Sequence, residues 1–183
     1  MKKSLTTSIK DGVISLTPIS FKYFNDFHEY STNPLFFKYF EYTVFKNRKE
    51  TKKYLKNLIL NSKKKNFQSW NIILKKEKKC IGTITVDIKL IRNSAELGYG
   101  LNPKYWGKGY FSRSLNILEN FLFKKVGIKR LFAVTPVKNK NSIKPLLKFG
   151  FKKEGTLKSF YKKKDKYTDA FIFSKINKNL KTI

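Results

Sequence analysis

Two glycines bracket a lysine, Gly107-Lys108-Gly109, directly before the apolar-periodic run in WGKGYFSRSLNILENFLF, residues 106–123. Glycine lets a backbone approach a ligand closely, and successive amide N–H groups at a helix start point at an anion. The chemistry that such a stretch suits is the holding of a phosphate. Two familiar phosphate loops do not fit it. A Walker loop needs Gly, four residues and then Gly-Lys-Ser/Thr, whereas here Lys108 lies between the glycines and Gly109 follows it. A dinucleotide fingerprint needs a third glycine where this chain has Ser112, and an acidic residue about twenty positions on, at the end of a second strand, which is missing. Taken alone, the glycine pair suits a strand-to-helix turn as well as it suits a phosphate cradle.

The elements that must position this loop can be read from hydrophobic periods. GVISLTPIS (12–20) is an entry strand closed by Pro18, and FKYFNDFHEY (21–30) has aromatics at 21, 24 and 27, a helical face. NPLFFKYFEY (33–42) fits neither helix nor loop decisively. After Asn47, a candidate cap with Glu50 three residues on, Tyr54, Leu55, Leu58 and Ile59 share one helical face. The period then shortens: 67–76 and 79–91 form a hairpin, and AELGYGL (95–101) a third strand. Phe111, Leu115, Leu118, Leu122 and Val126 define an amphipathic helix ended near Gly127. A strand at 129–136, a short helix at 141–150 and two strands around a charged turn complete the order β-α-α-β-β-β-α-β-α-β-β. This predicts one mixed α/β domain over residues 1–183.

Composition narrows the classes. The 183 residues are 40% hydrophobic and include 17 Phe and 10 Tyr, too apolar for a disordered chain. The apolar runs are too short to span a membrane, and MKKSLTTSIKDG lacks the apolar core of a secretory signal. Cys80 is the only cysteine, so an intramolecular disulfide and a cysteine-rich metal site are excluded, no metal is expected, and a reducing cytoplasm is the natural compartment. The formal charge is +29, which favours polyanionic partners. Only four of the 41 cations are arginine, however, and the lysines are spread from end to end, as AT-rich coding alone would produce. Nucleic acid is therefore not the favoured partner, since no arginine cluster or recognition module accompanies the charge.

In context, the loop is more specific. AELGYGL, NPKYWGKGYFSRSL and NKNSIKPLLKFGFKKEG, spanning about residues 95–157, together resemble the GNAT superfamily of acetyl-CoA-dependent N-acetyltransferases, most nearly its RimJ/RimL-type branch. The resemblance implies a central twisted, mostly antiparallel sheet of about seven strands flanked by helices, with two strands splayed at the cofactor site. It implies that the loop amides of Trp106, Gly107, Lys108, Gly109, Tyr110, Phe111 and Ser112 hold the coenzyme A pyrophosphate, with Lys104, Lys108 and Arg113 as helpers. Backbone groups of Tyr99, Gly100 and Leu101 would pair with the pantetheine arm, and one N–H would polarise the thioester carbonyl. Asn139 and Ser142 match the family's Asn-x-x-Ser near the sulfur. There are departures from the family pattern. Phe111 stands where the loop usually carries a small residue, Leu146 where many members carry a tyrosine acid, and Tyr161 at what resembles the position of a glutamate base.

Acetyl transfer to an amine needs a neutral amine, an oxyanion donor and a proton for the thiolate. By the same resemblance, Glu96 is the first candidate base, through water, against the alternative of a strand-end carboxylate answering lysines. Ser142 is the candidate acid or sulfur-orienting group, against the alternative of an N-cap, since Pro145 argues that the helix begins near Asn141 or Ser142. Tyr39, Glu41 and Asp87 fall on the predicted acceptor side. His28, Trp70 and Trp106 are expected to pack. The acceptor is expected to be anionic or neutral, because a field from +29 favours an acidic protein N-terminus or a nucleotide-linked amino sugar over cationic amines. A basic nucleic-acid-binding module on the same fold, suggested by SFYKKKDKY (159–167), and a coenzyme A-binding sensor are the rival functions; monomer and homodimer both remain open.

Overall fold

The computed structural model describes residues 5–180. The reading of the first twelve residues as free of a signal rests partly on residues 1–4, outside the described residues. The strands are β1 Ile9–Lys10, β2 Ile14–Pro18, β3 Phe67–Leu74, β4 Lys79–Lys89, β5 Ser94–Leu101, β6 Arg130–Pro136, β7 Lys152–Lys163 and β8 Lys166–Ile176. The helices are α1 Phe24–Ser31, α2 Arg48–Asn61, α3 Tyr110–Phe121 and α4 Lys140–Lys148. One sheet of eight strands runs β1-β2-β3-β4-β5-β6-β8-β7. Every neighbouring pair is antiparallel except β5–β6, which is parallel. The strand beyond the expected seven is β1, two residues folded back on β2 around Asp11, whose Oδ1 accepts the Val13 and Ile14 amides at 2.7 Å each.

Alternation in β4 shows how the sheet divides its two faces. Ile84, Val86 and Ile88 are buried, while Thr83, Thr85 and Asp87 between them are only half-buried. The buried set meets Leu115, Leu118 and Leu122 of the long helix in the main core, with Trp70, Ala95 and Leu97. Each such side chain contributes roughly 1.5–3 kcal/mol when fully buried. A second cluster joins Phe27 and Tyr30 of α1 to Leu55 of α2 and Ile73 and Cys80 of the sheet. There α2 starts as expected, with Asn47 Oδ1 accepting the Glu50 N–H at 3.0 Å.

Three local expectations change. The first aromatic segment opens with a 3₁₀ turn at Phe21–Tyr23 before α1 begins. The long helix turns π-helical over Leu122–Val126, with the Gly127 N–H on the Leu122 carbonyl at 2.9 Å. The last two steps of its apolar stripe are four residues each, slightly more than an α-helical turn, and the wider π turn keeps Leu122 and Val126 buried. Finally, Pro145 lies inside α4. The helix starts at Lys140, capped by Asn139, whose Oδ1 accepts the Ser142 N–H at 3.3 Å. Ser142 is therefore not the cap.

Candidate active site

The parallel pair β5–β6 is joined only at Ser94–Arg130, Ala95–Leu131 and Glu96–Phe132; beyond these residues the strands part. β5 stays paired with β4 along its whole length. Which of its backbone groups face the gap follows from alternation. Asn102 N–H donates to the Ile81 carbonyl at 2.8 Å, and the register continues unbroken through Leu101–Gly82 and Gly100–Thr83. Even-numbered residues therefore address β4, and Leu97, Tyr99 and Leu101 address the gap. Gly100, expected to offer its backbone to a pantetheine arm, instead bonds β4. Its lack of a side chain has another cause: a Cβ there would lie 2.5 Å from the Phe36 ring.

The gap opens into a cavity of about 760 Å³. At one end stand Trp106, Gly107, Gly109 and the first residues of α3. Gly107 and Gly109 have φ of +74° and +76°, and an added Cβ at either would touch nothing within 4 Å. These glycines are there for their dihedrals, which other L-residues adopt at a cost of roughly 1–2 kcal/mol. Gly109 is the N-cap of α3, has no side chain to cap it, and no acidic residue follows in the first turn. The helix's positive pole and its first amides, at Tyr110, Phe111 and Ser112, thus face the cavity without an anion of the chain's own. Trp106 closes the loop onto the strand by donating Nε1–H to the Leu101 carbonyl at 2.7 Å.

Of the expected cationic helpers, two are already paired. Lys104 Nζ lies 2.7 Å from Glu29 and Arg113 Nη1 2.9 Å from Asp11. Lys108 Nζ lies over the Tyr105 ring, 5.5 Å from its centre, and the residue is not part of the cavity wall. The cations that do line the cavity are Lys140, Lys144 and Lys148, at four-residue steps along α4. That spacing was visible in the sequence, but the lysine background hid it.

In the middle of the cavity, the Tyr99 hydroxyl and Ser142 Oγ lie 2.5 Å apart, and the Tyr99 ring packs on Phe111 with 4.2 Å between centres. Burial raises the Tyr99 phenol well above its ordinary range, partly offset by the Ser142 hydrogen bond. This hydroxyl pair escaped sequence reasoning; the alternation of β5, which sends Tyr99 towards α4, was the available signal. Asn139 also lines the cavity while capping α4. Leu146, standing where a tyrosine acid was looked for, is fully buried.

The other end is built from side chains. Glu96 lies directly across from Asp87 in the β4–β5 register, so both carboxylates share the half-buried face with Thr85 and Gly98. Asp87 is tied to Lys89 at 2.6 Å; Glu96 has no side-chain hydrogen bond or ion pair among the described residues. The segment 33–42, unassigned by its sequence, is a succession of turns and bends whose Phe36, Phe37 and Phe40 rings pack together. Tyr39 and Glu41 from these turns reach the wall, as does Tyr161 from β7. Tyr161 donates its hydroxyl to the Val134 carbonyl at 3.0 Å, and burial, with the charges of Glu96 and Glu41, pushes its pKa up to about 12. His28 lies outside the site, bonded to Thr51 at 2.7 Å. Trp70 is core, and Cys80 is buried with its thiol pushed up to about 12 by desolvation. No cluster able to hold a metal exists among the described residues, and no helix among them is long and apolar enough to cross a membrane.

Comparison with known proteins bears on this arrangement. The family model described as an acetyltransferase (GNAT) domain matches residues 14–152. The uncharacterized N-acetyltransferase p20 of Bacillus licheniformis is 29% identical over 147 residues, 80% of this chain and 83% of that protein. The ribosomal-protein-serine acetyltransferase of Escherichia coli (strain K12) is 30% identical over 102 residues, 55% of this chain and 57% of its own length. The solved structure of RimL, the ribosomal L7/L12 alpha-N-protein acetyltransferase, in complex with coenzyme A superposes with a TM-score of 0.84 at 20% identity, covering 93% of this chain and 98% of that one. The resemblance seen in residues 95–157 is borne out, and the chain belongs to the GNAT acetyltransferase family, enzymes that transfer an acetyl group from acetyl-CoA to an amine.

Proposed function

We propose that the cavity takes acetyl-CoA through its glycine-led end and a primary amine through its carboxylate end. The observation that carries this reading is the parting of β5 and β6 beside the uncapped start of α3. The residues present suit coenzyme A: free amides and a helix pole for its pyrophosphate, three lysines on α4, and the gap-facing groups of Leu97 and Tyr99 for its extended arm. When bound, it supplies an acetyl thioester, so that a C–N bond forms as the C–S bond breaks, the sulfur leaves as a thiol and one proton passes to solvent. Glu96 takes the proton that keeps the amine from attacking, directly or through water. The Tyr99–Ser142 pair, two hydroxyls in contact within the cavity, would supply the proton to the departing sulfur, the part that Leu146 cannot play.

Both acceptors ranked by overall charge require a primary amine. A nucleotide-linked amino sugar would bring phosphates among Glu41, Asp87 and Glu96, which weighs against it; a protein N-terminus, whose reacting end is an ammonium, does not meet that objection. Calorimetric titration of acetyl-CoA at two salt concentrations tests the reading. We expect one-to-one binding, weakened on the order of 100-fold by Gly109→Val, since valine is strained at φ +76° and shifts the first amides of α3. Absence of binding by the unmodified protein would sink it, and unchanged affinity in the variant would remove the loop from the site.

A further inference from the structure

The chain is strongly cationic, with 41 Lys+Arg against 12 Asp+Glu. Yet the charged residues lining the cavity described above fall into two groups. Lys140, Lys144 and Lys148 all lie on α4 at the end assigned to the cofactor, and the acceptor wall carries Glu41, Asp87 and Glu96 with no lysine or arginine among the residues lining it. A quarter of the chain's acidic residues thus gather at one end of one cavity. The arrangement is unfavourable for folding alone, because like charges directly opposite each other destabilise a sheet, as Glu96 and Asp87 are here. Nearby lysines offset it only in part. Lys89 pairs with Asp87, while Lys163 Nζ lies on the Phe37 carbonyl at 2.7 Å rather than on a carboxylate. Glu41 receives only the Lys162 backbone N–H at 3.4 Å. Phe36, Tyr39, Phe40 and Tyr42 line the same cavity, and the charges of Glu96 and Glu41 are both felt by the Tyr161 hydroxyl.

We propose that the acceptor is a primary ammonium carrying a second positive charge across a short apolar spacer, Glu96 receiving the reacting nitrogen and Glu41 the other cation, with the aromatic turns covering the spacer. This rests on the acetyltransferase reading and reverses the ranking that overall charge suggests, because a carboxylate a few ångströms away outweighs a screened surface field. Aromatic faces add to the attraction for a cation. Two sources present the same chemistry: a free aliphatic diamine, and a peptide N-terminus followed by a basic residue. The +29 surface would slow the approach of either, so the selectivity resides in the cavity.

The test follows thiol release by the full chain with acetyl-CoA at fixed salt. The acceptors are pentylamine, cadaverine, peptides beginning Ala-Lys or Ala-Glu, and O-phosphoethanolamine. We expect cadaverine to exceed pentylamine, or Ala-Lys to exceed Ala-Glu, by roughly fivefold in kcat/KM, the upper scale of one solvent-exposed charge contact. The pair that discriminates identifies the source. Glu41→Gln, on an exposed turn, should remove that preference mainly through KM. Equal rates within both pairs, a preference for O-phosphoethanolamine or the Ala-Glu peptide, or a Glu41→Gln loss equal for pentylamine and cadaverine would overturn the proposal. Acetyl-CoA bound without turnover on any of the cations would overturn the acceptor class alone. A failure to bind acetyl-CoA at all would instead bring down the acetyltransferase reading beneath it.

Discussion

The two ends of the cavity are made of different materials. The end beside α3 is backbone: left-handed glycines, unpartnered amides and the gap-facing edge of β5. The end beside the turns at 34–42 is side chain: carboxylates from two strands and rings from a segment with no repeating structure. Backbone groups at a helix start are fixed once the helix forms, so that end is prepared for any ligand with the same phosphates. Side chains on turns can be exchanged without disturbing the sheet. On the proposed function, one end would serve a cosubstrate common to a family, while the other can differ from member to member.

Substitutions can separate the ends. The largest expected effect is at Glu96. Glu96→Gln should lower kcat/KM for an amine by about 10²–10⁴ at neutral pH, the usual contribution of a general base. The deficit should shrink at higher pH as more of the amine is already neutral. Acetyl-CoA affinity measured by calorimetry should hold, and a pH–rate profile unchanged from wild type would remove Glu96 from this role. A smaller effect belongs to Gly100→Ala. Its Cβ meets the Phe36 ring at 2.5 Å, and overpacking of this kind costs roughly 1–3 kcal/mol unless the ring moves. Because Phe36 sits on the acceptor turns, amine KM should rise about tenfold while acetyl-CoA binding stays as it was; equal losses at both ends would deny their independence.

The smallest effect concerns the closed end of the strand pair. Arg130, at the start of β6, holds Glu154 of β7 through Nη1 and Nη2, and Ser174 Oγ donates to the same carboxylate. The Arg130 hydrogen bond, with help from Ser174 and against some desolvation, lowers the Glu154 carboxyl from 4.5 to about 2. A lowered carboxyl stabilises the fold above about pH 4.5, and that contribution is lost as pH falls towards 2. The pair is partly exposed, so solvent screening leaves about 1 kcal/mol. Glu154→Gln should cost that much in thermal melts at neutral pH and nothing near pH 2; a constant deficit across this range would contradict the ion-pair account.

The same contrast explains what was legible in the sequence. Gly107 and Gly109 could be placed because a required dihedral leaves its mark on residue type, and β5 because its neighbours fix its register. Nothing comparable marked NPLFFKYFEY, where the rings pack irregularly and follow neither period. The pairing of Lys104 and Arg113 is illegible for a related reason: their partners, Glu29 and Asp11, lie 75 and 102 residues away. For Ser142, Pro145 argues from sequence for a later helix start, and the cap at Asn139 leaves its hydroxyl free for Tyr99. Net charge is legible only as a total. A sum over the chain says nothing about where its few carboxylates gather.

The hydrogen bond from the Trp106 indole to Leu101 has an optical consequence. The chain has two tryptophans: Trp70, fully buried in the core, and Trp106, 36% exposed on the cavity wall. A ligand settling over the loop changes the surroundings of one indole and leaves the other dark to the event, whereas unfolding changes both. Occupancy of the site and integrity of the core can thus be followed in one cuvette, as separate components of the protein's own emission.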